Sequence, residues 1–209
     1  MCGTWCIIAN QAYSARLRGQ LSSNVRHHKR RQMNAPTQSD APVEIEPYNA
    51  NWPRLFELEA RSLSEVLGPW IVGAIEHIGS TAVRGLSAKP VIDIMAPVSG
   101  LDDSLPAIEA LSGLGYCHFP YKSDQMHWFC KPSPAHRTHH LHIVPLASVT
   151  WRDRLAFRDA LRGNTELADE YQTLKLRLAR AHAHDREAYT EGKTPFVQSV
   201  LNRVCPRAA

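Results

Sequence analysis

Cysteine is sparse in this sequence and irregularly placed. Cys2, Cys6, Cys117, Cys130 and Cys205 are odd in number and form no Cys-x-x-Cys pair. That argues against a disulfide framework in a chain of 209 residues and reads as cytosolic thiols, so the cytoplasm is the expected compartment. Apolar runs long enough to span a membrane are missing. The short Trp5–Ala9 stretch has no basic region before it, which makes it a poor signal peptide. No internal repeat is visible. A phosphate-cradling Gly-Lys-Ser/Thr is also missing, since those positions would fall on Arg84-Gly85-Leu86. Gly113-Leu114-Gly115 is a turn and no dinucleotide fingerprint, because His118 stands at the third glycine position.

Charge of one sign is lacking where it would matter. The net +4 comes from residues 1–42, with Arg16, Arg18, Arg26, Lys29, Arg30 and Arg31 against Asp40 alone. The remainder holds 18 basic and 19 acidic groups. A near-neutral body argues against general nucleic-acid binding, which needs a basic face. Residues 1–42 have no apolar periodicity and read as a disordered extension. Their acid-poor, Arg- and Ser-bearing character fits an organellar transit peptide, or else a start codon placed upstream of a true start at Met33. The domain is expected at 43–209.

Val43–Glu46 alternates like a short strand. Asn51 is the expected N-cap of a helix through Leu67, with Trp52, Leu55, Phe56, Leu63 and Val66 at helical spacing and Gly68-Pro69 as the stop. Trp70–Ile78 reads as a strand and Asp102–Gly113 as a helix. Three more strands follow at Tyr116–Tyr121, His127–Lys131 and Thr138–Pro145. Thr150 opens a capping-box helix to Gly163, and further helices span Thr165–His182, Asp185–Gly192 and Thr194–Val204. The order is a mixed α/β half followed by a helical tail.

The stretch Glu76-His77-Ile78-Gly79-Ser80-Thr81 to Asp93-Ile94-Met95 carries the chemistry. A β-branched strand ends in a Gly79-Ser80-Thr81 turn whose free amides suit a phosphate. Asp93 then sits alone among Val91, Ile92 and Ile94, where a carboxylate needs a partner such as a divalent metal. On these residues the chain resembles the GrpB-like family (UPF0157) of the nucleotidyltransferase superfamily, over roughly Glu44–Val204. The resemblance implies a nucleotidyltransferase-like α/β (α+β) fold: a mixed sheet, flanking helices and a C-terminal helical appendage. It also implies a metal-dependent nucleotidyltransferase acting on a small-molecule or other acceptor, with an acid pair on the second strand. Here that pair is Asp93 and Met95, so the second acid is missing, and Arg84 stands where the family more often has proline.

His140 and His142 face one side of their strand and His139 the other. With Asp93 the pair could ligate one metal: Mg²⁺ through the acid, or Mn²⁺ or Zn²⁺ if the imidazoles bind. A protonated imidazole could instead hold a phosphate, and a solvated or hydrogen-bonded histidine face is the plain alternative. His140-Leu141-His142 also resembles part of the histidine-triad pattern, one histidine short. Lys89 either faces a phosphate or sits in solvent. Lys175 follows Tyr171 by four residues, and Lys193 follows Tyr189 by four and precedes a helix start, where ammonium and helix N-terminus together attract an anion. In the resembled family both lysines belong to a recurring tail pattern. The expected partner is a nucleoside triphosphate or phosphorylated small molecule, bound in a cleft between sheet and tail, with catalytic roles for Asp93, His140 and His142. The alternative is a noncatalytic nucleotide or coenzyme A-precursor binding module, because some family members carry this domain fused to dephospho-coenzyme A kinase.

Overall fold

The computed structural model describes residues 41–206. The expected extension at 1–42, and the start at Met33, lie outside the described residues apart from the last two positions.

Helix α1 (Trp52–Leu67) buries Trp52, Leu63 and Leu67 on one face. Deleting a leucine side chain buried as fully as Leu63 costs roughly 2–5 kcal/mol. The expected cap, Asn51, makes no side-chain bond; Asn49 Oδ1 accepts the Asn51 amide at 2.9 Å instead. Strand β1 (Glu76–Ile78) is shorter than the Trp70–Ile78 run. The earlier part of that run crosses the end of β2 (Ile92–Val98), with an isolated Ile71–Val98 bridge and the Val72 amide 3.0 Å from the Pro97 carbonyl. The alternating Val43–Glu46 stretch contributes only a single bridge, Glu46 to Ala88. Helix α2 (Ala107–Ala110) continues as a 3-10 turn, Leu111–Leu114. It starts later than Asp102: residues 101–106 form consecutive turns, and Pro106, which has no amide to donate, stands at the N-cap.

Strands β3 (Cys117–Phe119), β4 (His127–Pro132) and β5 (Arg137–Pro145) complete a five-stranded sheet of order β1-β2-β5-β4-β3. The central pair, β2 and β5, is parallel and every other pairing is antiparallel. Alternation sorts the two faces. Ile92, Ile94, Leu141, Ile143 and Phe129 point to α1 and α2 and form the main core. Ile78, Met95 and Val144 point the other way, against Met126 and Trp151.

Trp151 belongs to α3 (Val149–Gly163), the first helix of the appendage, followed by α4 (Thr165–Ala181), α5 (Arg186–Glu191) and α6 (Thr194–Val204). Ser148, not Thr150, caps α3 by accepting the Trp151 amide at 3.1 Å. Asn164 and Asp185 cap α4 and α5 by accepting the Leu167 and Ala188 amides, each at 2.9 Å. Helix α4 grips the loop between the two motif strands. Val83 and Leu86 pack with Leu161, Ala168 and Tyr171. Gln172 Oε1 accepts the Ser87 amide at 2.7 Å, and the Lys175 ammonium donates to the Ser87 carbonyl. Among the described residues no helix is long and apolar enough to cross a membrane.

Candidate functional site

The turn after β1 is shaped by the acid on β2. Ile78 and Asp93 are register partners, which brings the Asp93 side chain over Gly79. Gly79 has φ +70° and ψ −171°, a conformation open essentially to glycine. A Cβ at Gly79 would lie 2.9 Å from Asp93 Cβ and Cγ, and against Oδ2. Glycine and aspartate therefore form one unit. The amides of Ser80 and Thr81, which open the 3-10 turn Ser80–Ala82, have no acceptor among the described residues.

The Thr81 side chain turns inward, so only its amide is left for the expected phosphate. The residue is buried, its hydroxyl donates to the Val91 carbonyl at 3.2 Å, and His77 Nε2 lies 3.0 Å from the same oxygen. With the hydroxyl proton spent on Val91, His77 Nε2 must be the donor to Thr81. The His77 ring stacks on Phe56, centroids 4.6 Å apart. Burial pushes His77 down to about 4, with Asp93 opposing and Arg162 and Arg158 assisting.

Parallel pairing sets Asp93 beside His140 and Met95 beside His142. Both histidines share the Asp93 face, while His139 turns to the other side, 4.0 Å from Glu59. His140 Nδ1 lies 2.9 Å from Asp93 Oδ1, and His142 Nε2 lies 4.0 Å from the same oxygen. An ionised carboxylate only accepts, so His140 Nδ1 is the donor. Burial alone would raise the Asp93 carboxyl, but the hydrogen bond from His140 and the nearby His142 ring hold it far below the usual carboxylate range. His142 is pushed down to about 3 by burial, with Arg154 adding and Asp93 opposing, so it is neutral at neutral pH.

The three expected metal ligands thus come together as a hydrogen-bonded pair with a neighbour, not as donors around one point. Oδ1 is taken by the His140 proton, and among the described residues no group of three or more His, Cys, Asp or Glu is arranged to hold a metal. Met95, in the place of a second acid, is fully buried against Ile78 and Trp151. This donor set does not fit a resident ion.

The appendage supplies the rest. Burial pushes the Tyr171 phenol well up, with Ser80 weakly opposing, and it does the same to the Tyr189 phenol. The Lys193 ammonium sits 4.3 Å over the Tyr189 ring, half-buried at the start of α6. Burial lowers Lys193 and the Asp93 charge partly restores it, which puts the two within electrostatic reach. Arg154, on the inner stripe of α3 between Trp151 and Arg158, is related to Asp93 in the same way. Among the described residues neither Lys193 nor Arg154 has an ion-pair partner (contrast Arg158, 2.6 Å from Glu76 and 3.0 Å from the His77 carbonyl, which fastens α3 to β1). The Lys175 ammonium, expected to meet a phosphate, is engaged by the main chain. Lys175 is 1% exposed, bonded to Ser87 and set 5.0 Å over the Tyr171 ring. Burial, then Lys193, pushes its ammonium down to about 7. Lys89 is half-buried just before β2. Sequence reasoning missed Arg154, whose signal was an arginine on an otherwise sheet-facing stripe.

A family model described as GrpB protein matches residues 42–203. The chain belongs to the GrpB family. A UPF0157 protein of Pseudomonas aeruginosa is 41% identical over 169 residues, 78% of this chain and 68% of its own length. The glutamate-rich protein GrpB of Alkalihalophilus pseudofirmus is 35% identical over 162 residues, 75% of this chain and 92% of that one. The crystal structure of the conserved protein GrpB from Enterococcus faecalis superposes with a TM-score of 0.70 at 31% identity, covering 77% of this chain and 96% of the other. The mixed sheet with flanking helices is thus the fold of this GrpB-family chain.

Proposed function

We propose that the site binds a nucleoside triphosphate or another phosphorylated small molecule, and that its reaction is nucleotidyl transfer to a hydroxyl-bearing acceptor. One observation carries this reading. Lys193 and Arg154, two cations without ion-pair partners among the described residues, lie within electrostatic reach of Asp93, which stands over the turn that carries the open Ser80 and Thr81 amides. Half-buried cations without partners are costly, and a multiply charged anion compensates several at once. The Gly79-Ser80 turn followed by an acid-bearing strand agrees with the nucleotidyltransferase resemblance. Any Mg²⁺ arrives on the ligand's own phosphates, as this ion commonly does, and counts as part of the ligand.

A second reading, a noncatalytic nucleotide or coenzyme A-precursor binding module, is favoured by Met95. Its buried side chain leaves the strand with a single acid. Calorimetry of ATP and of dephospho-coenzyme A, each with and without Mg²⁺, tests the binding common to both readings. Turnover of labelled ATP with a panel of small alcohols separates them. Failure of the full chain to bind any of these ligands refutes both.

A further inference from the structure

The Asp93–His140 pair leaves one atom without a role. His140 Nδ1 donates to the Asp93 carboxylate at 2.9 Å, so in the neutral ring Nε2 carries the bare lone pair. That nitrogen is buried and has no hydrogen-bond partner among the described residues. An unpartnered buried acceptor calls for a donor that the described residues do not supply. The ring cannot easily turn away. It is held by the carboxylate on one side, tilted against Trp128 at 5.2 Å and set edge-on to His142 at 6.5 Å. Its orientation is fixed by register, since Asp93 and His140 are partners across the two parallel strands. The cations that would gather phosphates, Lys193 and Arg154, act on the same carboxylate.

The geometry points to His140 as a proton acceptor working through Nε2, with Asp93 as its positioning carboxylate instead of a metal ligand. The inference rests on the nucleotidyl-transfer reading and names the base within it. The acceptor hydroxyl oxygen forms a bond to the α-phosphorus of a nucleoside triphosphate. The bond from that phosphorus to the bridging oxygen breaks, and pyrophosphate leaves with the electron pair. The hydroxyl proton passes to Nε2, and the Asp93 carboxylate, against Nδ1, stabilises the imidazolium. The proton returns to solvent as product leaves.

Two measurements on the full chain test this. Long-range proton–nitrogen spectra of ¹⁵N-histidine protein read which ring nitrogen carries the proton. The result expected is a protonated Nδ1 and a bare Nε2 for His140, with that fixed tautomer lost in Asp93→Asn. A protonated Nε2 in the resting protein overturns the proposal. The second measurement follows pyrophosphate release from ATP with water and the alcohol panel. His140→Asn keeps an amide donor toward Asp93 but has no counterpart of Nε2, and His140→Gln guards against a folding defect in the first variant. Both should lower turnover about 10²–10⁴-fold, while ATP affinity by calorimetry stays within about threefold, since affinity is assigned to the cations and not to the base. Turnover retained within about threefold overturns the role of His140. Wild-type protein that binds ATP but releases no pyrophosphate also overturns it, while leaving the binding reading intact. Absence of ATP binding defeats the parent reading itself.

Discussion

Gly79→Ala tests whether the Asp93 carboxylate dictates the turn beneath it. Two costs add. The φ +70°, ψ −171° conformation costs a residue with a side chain on the order of 1–3 kcal/mol. The new methyl then lies 2.9 Å from Asp93 Cβ and Cγ, and the hydrogen bond to His140 limits how far that side chain can yield. Overpacking of this kind costs about 1–3 kcal/mol. The sum, about 2–6 kcal/mol, is measurable by urea denaturation as a lowered midpoint at unchanged slope. A double-mutant cycle divides it. Asp93→Ala removes the contacts with Cγ and Oδ2 but leaves the backbone strain, so Gly79→Ala should cost about 1–3 kcal/mol less in that background. Strict additivity would refute the claim that the carboxylate imposes the glycine. A stability of Gly79→Ala within about 0.5 kcal/mol of wild type would refute the strain argument as well.

Lys193→Ala should weaken ATP binding by about 1.5–3 kcal/mol, the worth of one charge-assisted contact, with unchanged thermal unfolding; unchanged calorimetric affinity would leave the lysine as a surface group. Lys175, pushed down to about 7, carries fewer protons folded than unfolded up to its ordinary 10.5, so stability should rise with pH through that window by roughly 1 kcal/mol per unit. Lys175→Met should flatten this rise relative to wild type, and parallel curves for the two proteins would show that the ammonium stays charged against Ser87. His77 and His142, held near 4 and near 3, are neutral in the fold and protonated when unfolded below about 6.5. Stability should therefore fall as pH drops from 6.5 toward 4, and His77→Phe should reduce the slope in a urea series across that range.

The lone acid was legible because a carboxylate in an apolar strand needs an explanation, and strand alternation alone put His140 and His142 on one face. Element types were readable from periodicity, whereas lengths failed where local or tertiary structure intervened, at Pro106 before α2 and where residues 71 and 72 cross the end of β2 before β1. The inward placement of the Thr81 and Lys175 side chains was not legible, for a common reason. Their hydrogen bonds, to Val91 and Ser87, run between segments distant in sequence or out of the helix, and side-chain burial leaves no local trace in spacing. Arg154 escaped notice because an arginine on an amphipathic helix ordinarily marks its wet side, and only the packing of Trp151 beneath the sheet shows that this stripe points inward.

The grip of α4 on Ser87 has a consequence for how this family can vary. Both contacts, from Gln172 and Lys175, are made to the main chain of position 87, one to its amide and one to its carbonyl. The identity of the side chain there is therefore nearly free to drift, proline excepted, since proline has no amide to offer. The partners on α4 have no such freedom. Loss of either side chain, at 172 or 175, would loosen a loop that lies some 85 residues away along the chain.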